Sequence, residues 1–264
     1  MADEEDDFPR SLVRLTTIGT GTAAPVASRV QSGHLVECGA VRLLMDCGSG
    51  ISFRMAALGI DWSSITHLAL THFHADHVLD VPTMLVAWRY GMLPPRTAPL
   101  QIFGPIGTAA LVDGMTAALD ITYRDYGFPV IVREMPAGER LSLSEHCTIE
   151  SRSVPHTAES VAYLVEGDAR RIVYTGDTGF DEGFAQWAKG CDVLLSECSL
   201  PASMAIPTHL TPEQVGAIAR IASPALLALT HQYPPLEHVD VRAAIAAIHA
   251  GPVVVCHDGW STEL

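Results

Sequence analysis

The chain has 264 residues, 48% of them apolar, and a formal charge of −14 from 30 acidic against 16 basic side chains. That length allows one large domain or two small ones, and no apolar run approaches the length needed to span a bilayer. The acidic balance, with Lys189 the only lysine, argues against a long nucleic acid as partner but not against a small anionic ester.

Met1-Ala2-Asp3-Glu4-Glu5-Asp6-Asp7 carries the opposite charge to the start of a signal peptide. Residues 1–10 therefore read as an acidic, disordered tail ahead of a single domain over residues 11–264. Six scattered cysteines contain no Cys-x-x-Cys pair, so free buried thiols in a reducing, cytoplasmic setting are expected. Apolar runs predict strands over residues 12–18, 34–38 and 41–45, the last two joined by a Gly39-Ala40 turn. A helix follows over 51–58 and stops at Gly59. Residues 65–70 read as a buried strand ending at Thr71, with a helix over 78–89 behind it. The proline-rich stretch 94–99 is expected as a loop lining a cleft, followed by a strand over 100–103 and a helix over 106–119. Strands are expected over 130–134, 148–154, 161–166 and 171–174, then a helix over 184–189 and a strand over 193–196. Thr211-Pro212-Glu213-Gln214 has the form of a capping box and opens a helix to residue 222. A strand over 226–229, a helix over 239–249 and a final strand over 253–256 complete the pattern. Two similar halves, each strand-rich and then helical, imply an α+β fold: two sheets face to face with helices outside, an αββα sandwich.

The densest chemistry lies between Thr71 and His77, where His72-x-His74-x-Asp76-His77 sets four potential metal ligands within six residues. The segment follows a strand, and open sheets place their sites at the carboxyl ends of strands. Imidazole nitrogen and carboxylate oxygen suit a borderline divalent cation such as zinc. Taken singly, other candidates are bland. His156 after Pro155 reads as a surface residue, Asp177 in Gly-Asp-Thr-Gly as a turn residue, and His231 as a satisfied buried histidine. His34, His67, His146, His238 and His249 have no motif support, and His257-Asp258 fits either a cleft rim or an ordinary turn.

Together these pieces resemble the metallo-β-lactamase superfamily. His72-x-His74-x-Asp76-His77 resembles its signature. Leu15-Thr16-Thr17-Ile18-Gly19-Thr20-Gly21-Thr22-Ala23-Ala24-Pro25 resembles the opening strand and glycine-rich loop of its ribonuclease Z branch. Leu44-Met45-Asp46-Cys47-Gly48, Pro155-His156-Thr157, Tyr174-Thr175-Gly176-Asp177-Thr178-Gly179 and Leu229-Thr230-His231 resemble later motifs, in the family's order.

The resemblance implies that His72, His74 and His156 hold one metal, that Asp76, His77 and His231 hold a second, and that Asp177 bridges them. Two Zn2+ per chain are implied, with Mn2+ or Fe2+ as alternatives, and a hydroxide between them as nucleophile. Ser196-Glu197-Cys198 and His209-Leu210-Thr211 match the same branch. They imply that Glu197 orients His209, which donates a proton to a leaving oxygen or binds the phosphoryl group. Asp76, Glu197 and His209 are the candidate catalytic residues. The branch also implies a homodimer.

The resemblance breaks at two places. The branch carries a long tRNA-binding arm after the strand that follows the third histidine, whereas here Gly167-Asp168 reads as a simple hairpin turn. Gln232-Tyr233-Pro234-Pro235 replaces the branch's aromatic-and-basic residues after the last histidine. The leading expectation is therefore a two-metal phosphodiesterase for small diesters. The alternatives are hydrolysis of a β-lactam, lactone, sulfate ester or phosphotriester, tRNA 3′ processing, or metal binding without turnover.

Overall fold

The computed structural model describes residues 12–264, so the acidic tail expected over residues 1–10 lies outside the described residues. Two seven-stranded sheets organise them. In the first, β1 (Val13–Gly19), β2 (Gly33–Cys38) and β3 (Val41–Met45) form an antiparallel meander. Strands β4 (His67–Ala69), β5 (Leu100–Gly104) and β6 (Val130–Glu134) extend it in parallel. The second sheet repeats the plan. Strands β7 (Arg140–Ser144), β8 (Cys147–Ser153), β9 (Val161–Gly167) and β10 (Arg170–Tyr174) are antiparallel. Strands β11 (Val193–Glu197), β12 (Leu226–Thr230) and β13 (Val253–Val255) then run parallel. Finally β14 (Trp260–Glu263) returns to the first sheet and pairs antiparallel with β1.

Alternation along the strands explains the layers. On β3, Leu43 and Met45 enter the core shared with Tyr163, Val165, Ile172 and Leu195 of the second sheet, whereas Leu44 faces outward. Outward residues are also apolar because helices cover them. Helices α1 (Ile51–Ala57), α2 (Ala75–Val78), α3 (Val81–Tyr90) and α4 (Thr108–Ala118) pack on the first sheet through Ile51, Val78, Trp88 and Val112. Helices α5 (Glu182–Trp187), α6 (Pro212–Ala222) and α7 (Val241–Ala246) pack on the second through Phe184, Ile218 and Ile245. Strands buried on both faces read as continuous apolar runs. The result is the expected αββα sandwich. Among the described residues, no helix is long and apolar enough to cross a membrane, and all six cysteines are free and buried.

Differences from the expected elements have local causes. The single helix expected over 78–89 is two pieces, with α2 starting inside the ligand loop at Ala75. Asp80 sits at the break, where its carboxylate accepts from the backbone N–H and hydroxyl of Ser52 at 2.9 and 2.8 Å. Pro82, in the first turn of α3, has no N–H to continue the earlier ladder. Strands β7 and β14 add to the expected set: both are half-exposed edge strands with few apolar residues to mark them, so β13 is not the last strand. The last helix shortens to α7, capped by Asp240 at the Ala243 N–H.

The proline-rich loop does not line the cleft. It borders a separate recess of about 530 Å3, with Asp61, Trp62 and Thr66, that includes none of the seven expected ligands. Arg96 pins it there by donating to the carbonyls of Ser63, Ile65, Ala98 and Pro99, beneath the rings of Trp88 and Phe128. Between β9 and β10, Gly167 pairs with Arg170 across a two-residue turn. Its central residues, Asp168 and Ala169, have φ of 47° and 62°, so the turn sits one residue later than expected. No inserted arm separates these strands.

Candidate metal centre

The carboxyl ends of strands from both sheets converge. His72 and His74 follow β4, Asp76 and His77 lie on α2, His156 follows β8, Asp177 follows β10 and His231 follows β12. Close backbone approach at the seam depends on Gly176. Its φ is 57°, and a Cβ there would lie 2.9 Å from that of Thr71. His231 itself holds a φ of 55°, an unusual conformation for a non-glycine residue.

All seven expected ligands meet. His72, His74, His156 and Asp177 offer ligand atoms within 4.8 Å of one another, as do Asp76, His77 and His231. Asp177 stands between the two groups. Its Oδ2 lies 3.8 Å from Nε2 of both His72 and His156. Its Oδ1 lies 3.3 and 3.4 Å from Nε2 of His77 and His231. The Nδ1 of His74 lies 3.0 Å from Nε2 of His156. His74 is exposed while His72, His77 and Asp177 are buried, so the cluster opens to solvent on one side.

Hydrogen bonds around the cluster select which nitrogen faces it. The Asp46 carboxylate oxygens accept from the Thr71 N–H and hydroxyl and the Tyr174 hydroxyl, and His77 donates to Asp46 from Nδ1 at 2.7 Å. His156 donates from Nδ1 to the Thr208 carbonyl at 2.9 Å. The single hydroxyl proton of Thr71 goes to Asp46, so its oxygen accepts from Nδ1 of His72 at 3.0 Å. The same logic applies to Ser199, which donates to Glu197 and accepts from Nδ1 of His231 at 3.0 Å. Each of these four imidazoles is left with a lone pair on Nε2, aimed inward.

Nε2 of His72, Nε2 of His77 and Oδ1 of Asp177 are buried and have no hydrogen-bond partner. Orphaned buried acceptors that converge are the pattern a cation satisfies, so the donor set fits divalent metal. Electrostatics agree. Burial, reinforced by His77 alongside, holds His72 well below the usual histidine range, as a neutral donor. Burial also works against a charge on His77, but Asp177 and Asp46 outweigh it and hold that ring well above its usual range. The local field therefore favours positive charge. Burial opposes ionisation of Asp177, yet His231 and His77 keep its carboxyl well below the ordinary value.

Beside the cluster, Nδ1 of His209 lies 3.0 Å from Oε1 of Glu197, which is fully buried at the end of β11. Glu197 also accepts from the backbone N–H groups of Thr178 and Leu210, at 2.6 and 3.0 Å. These contacts fix the carboxylate, and the carboxylate fixes the imidazole. Burial lowers the basicity of His209, but the hydrogen bond to Glu197 and its charge more than offset this. His209 thus holds its proton above the ordinary histidine value. A ring nitrogen of His209 comes within 4.8 Å of ligand atoms of Asp177 and His231.

Asp46, in the Leu44-Met45-Asp46-Cys47-Gly48 motif, supports the cluster from beneath. It is fully buried and holds His77 in place, while also accepting from the Thr71 N–H at 2.8 Å and the Tyr174 hydroxyl at 2.9 Å. His257 is exposed, its ring bonding the neighbouring Asp258 carbonyl while its own carbonyl accepts from the Thr17 hydroxyl and the Trp260 N–H. Asp258 is structural. It accepts from the backbone N–H groups of Thr20 and Val30 at 3.0 and 2.8 Å, anchoring the glycine-rich loop.

A profile of the β-lactamase superfamily domain matches residues 41–232. A ribonuclease Z of Mycobacterium avium is 32% identical over 274 aligned positions, covering 94% of this chain and 96% of the relative. The metallo-β-lactamase fold protein YhfI from Bacillus subtilis superposes with a TM-score of 0.82 at 24% identity, over 96% of this chain and 99% of that one. The short form of human tRNase Z gives a TM-score of 0.77 at 21% identity, over 94% and 98%. At these identities the two structures speak for the fold alone.

Proposed function

The chain belongs to the β-lactamase superfamily, among its ribonuclease Z-like members, and from that premise we propose that it is a two-metal phosphodiesterase acting on small phosphate diesters. It is a metal-dependent hydrolase. The observation that carries the finer reading is the split of Asp177, one carboxylate oxygen toward His72 and His156 and the other toward His77 and His231. A carboxylate so shared holds two cations together against their repulsion. In this reading His72, His74 and His156 would hold one Zn2+, Asp76, His77 and His231 would hold the other, and Asp177 would serve both. Divalent cations there supply Lewis acidity and a hydroxide nucleophile near neutral pH.

The residues of the chain do the rest. Asp76 would help fix the second cation, its Oδ2 lying 3.3 Å from Nε2 of His231, a ligand atom of the same group, while Ser199 orients the His231 ring through Nδ1. Glu197 holds His209 protonated and turned toward the cluster, where it donates to the departing alkoxide or to the phosphoryl oxygens. Amide and lactone leaving groups need such a donor too, so the preference for phosphate rests on the ribonuclease Z relatives.

The ribonuclease Z relatives favour a second reading, tRNA 3′ processing. The two-residue turn between β9 and β10 and the charge of −14 weigh against it, because a folded polyanion needs a basic grip. One panel separates the readings: zinc- or manganese-loaded protein with bis-p-nitrophenyl phosphate, a cyclic nucleotide, a β-lactam and precursor tRNA. Turnover of small diesters with weak or absent tRNA cleavage is expected. Efficient, site-specific cleavage at the tRNA 3′ end would make the protein a tRNA-maturing nuclease instead. Elemental analysis giving one metal or none, unchanged by added zinc, would remove the two-ion site.

A further inference from the structure

Cys38 and Cys147 take no part in the chemistry above, and they belong to different sheets. Cys38 closes β2 and Cys147 opens β8, and both side chains enter the core between the sheets. From Cys38 the chain turns at Gly39-Ala40 into β3, which runs back toward Asp46, and β8 runs from Cys147 toward His156. The two cysteines therefore lie at the end of the sandwich away from the ligand cluster, just inside the exposed Gly39-Ala40 turn.

Gly167 makes the room in which they meet. It is the residue paired with Cys147 between β8 and β9. A Cβ on Gly167 would collide with Sγ of Cys38 and stand 3.4 Å from the Cys38 Cβ. The same sulfur lies 3.9 Å from the carbonyl oxygen of His146, the residue before Cys147. Cys38 thus rests against the backbone on both sides of Cys147, and the two thiols share a hydrogen bond. Sulfurs in contact need only side-chain rotation to reach the S–S distance of about 2.05 Å.

The pair also differs from the other thiols in its chemistry. The hydrogen bond from Cys147 holds the Cys38 thiol below its usual value, against the effect of burial. That bond and then burial push Cys147 well above it. Burial pushes up Cys47, Cys191, Cys198 and Cys256 as well. The thiolate is the reactive form, so Cys38 is the sulfur that meets an oxidant first, with Cys147 placed to resolve the product.

We propose that Cys38 and Cys147 form a redox modification site, at which a peroxide converts the two thiols into a disulfide that ties the sheets together. The Cys38 sulfur attacks one oxygen of hydrogen peroxide, the O–O bond breaks, and the other oxygen leaves as water, giving a sulfenic acid. The Cys147 sulfur then attacks the Cys38 sulfur, the S–O bond breaks and a second water departs. The two thiols lose two electrons and two protons, which the peroxide takes up as it becomes two waters. A small thiol reverses the bond by exchange. Because the metal ligands come from both sheets, the tie would hold the two parts of the ligand set together.

The test treats the reduced, metal-loaded protein with hydrogen peroxide, removes the excess with catalase and counts thiols in denaturant. Two of the six thiols should be lost, and peptide mapping should find the Cys38 and Cys147 peptides joined. Closing a loop of roughly 100 residues should raise Tm by roughly 10 °C, reversibly with dithiothreitol. Cys38→Ser and Cys147→Ser should each abolish the rise, and only Cys147→Ser should leave a sulfenic acid that dimedone traps at Cys38. Should the serine variants fail to fold, Cys38→Ala and Cys147→Ala, which put no polar group in the core, replace them. A full thiol count after peroxide that oxidises free glutathione in the same tube overturns the proposal. A bond between other cysteines, or oxidation of Cys38 that never joins Cys147, does the same. A bond that lowers Tm also overturns it, having formed outside the native packing.

Discussion

Replacing Asp46 by Asn probes how the cluster is set from beneath. The backbone φ of 60° at this position is one that Asn tolerates, so the change acts through the side chain. The carboxylate accepts from the Thr71 N–H and hydroxyl, from Nδ1 of His77 and from the Tyr174 hydroxyl. An amide offers one oxygen. If that oxygen keeps Thr71, the NH2 group faces two donors. Tyr174 can turn its hydrogen away, but His77 can relieve the clash only by moving its proton to Nε2. That nitrogen lies 3.3 Å from Asp177 and 3.8 Å from Asp76, where a lone pair is required for a ligand. Losing a hydrogen bond to a charged group costs about 1.5–3 kcal/mol. Zinc affinity is expected to fall about 10- to 100-fold, the usual effect of removing an orienting partner. In metal-free protein, a loss of about 2 kcal/mol lowers Tm by roughly 4–8 °C for a chain of this size. Competition with a chromophoric chelator measures the first quantity and thermal melts of chelated protein the second. Zinc affinity within twofold of wild type would refute the claim that Asp46 selects the tautomer of His77. Lower stability with unchanged affinity would leave Asp46 a role in the fold alone.

Other outcomes follow from the same geometry. His209→Ala should depress turnover of a diester with an alkoxide leaving group by about 100-fold, and that of a p-nitrophenolate ester far less, because the latter leaves without a proton. Equal losses would point to phosphate binding by His209 rather than proton donation. His209 holds its proton above the ordinary histidine value because of Glu197, so activity that needs the proton persists as pH rises past that value and then declines. Glu197→Gln removes the raising influence, so the alkaline limb of kcat should move to lower pH, and a limb that stays put or moves the other way contradicts the assignment. Chelation strands Nε2 of His72, Nε2 of His77 and Oδ1 of Asp177 without partners. Restoring zinc to about 100 times its Kd should raise stability by about 2.7 kcal/mol, read as a reversible rise in Tm, and identical melts with and without metal would argue against a resident ion.

Much of the site could be read before any coordinates, for a local reason. Four ligands between His72 and His77 form a pattern dense enough to stand out by itself. His156, Asp177 and His231 are single residues in short motifs, and only their order along the chain made them readable. Asp46 lay in plain view in one of those motifs. Its role depends on lying beneath His77, a contact between residues 31 positions apart. Strands β7 and β14 escaped because an edge strand needs little apolar sequence, and the break between α2 and α3 because Asp80 serves another helix, α1.

The pairing of β14 with β1 joins opposite ends of the described chain. As the polypeptide leaves the ribosome, the histidine-rich loop emerges early, while His156, Asp177 and His231 are still unmade. The edge of β1 stays open for longer still, until Trp260–Glu263 arrive. The nascent first half therefore carries an incomplete ligand set and one open strand edge at the same time, and neither can be completed locally. Contacts so distant in sequence close slowly. The ligand set is therefore complete only once His231 has joined it, and the sandwich only once β14 has closed on β1.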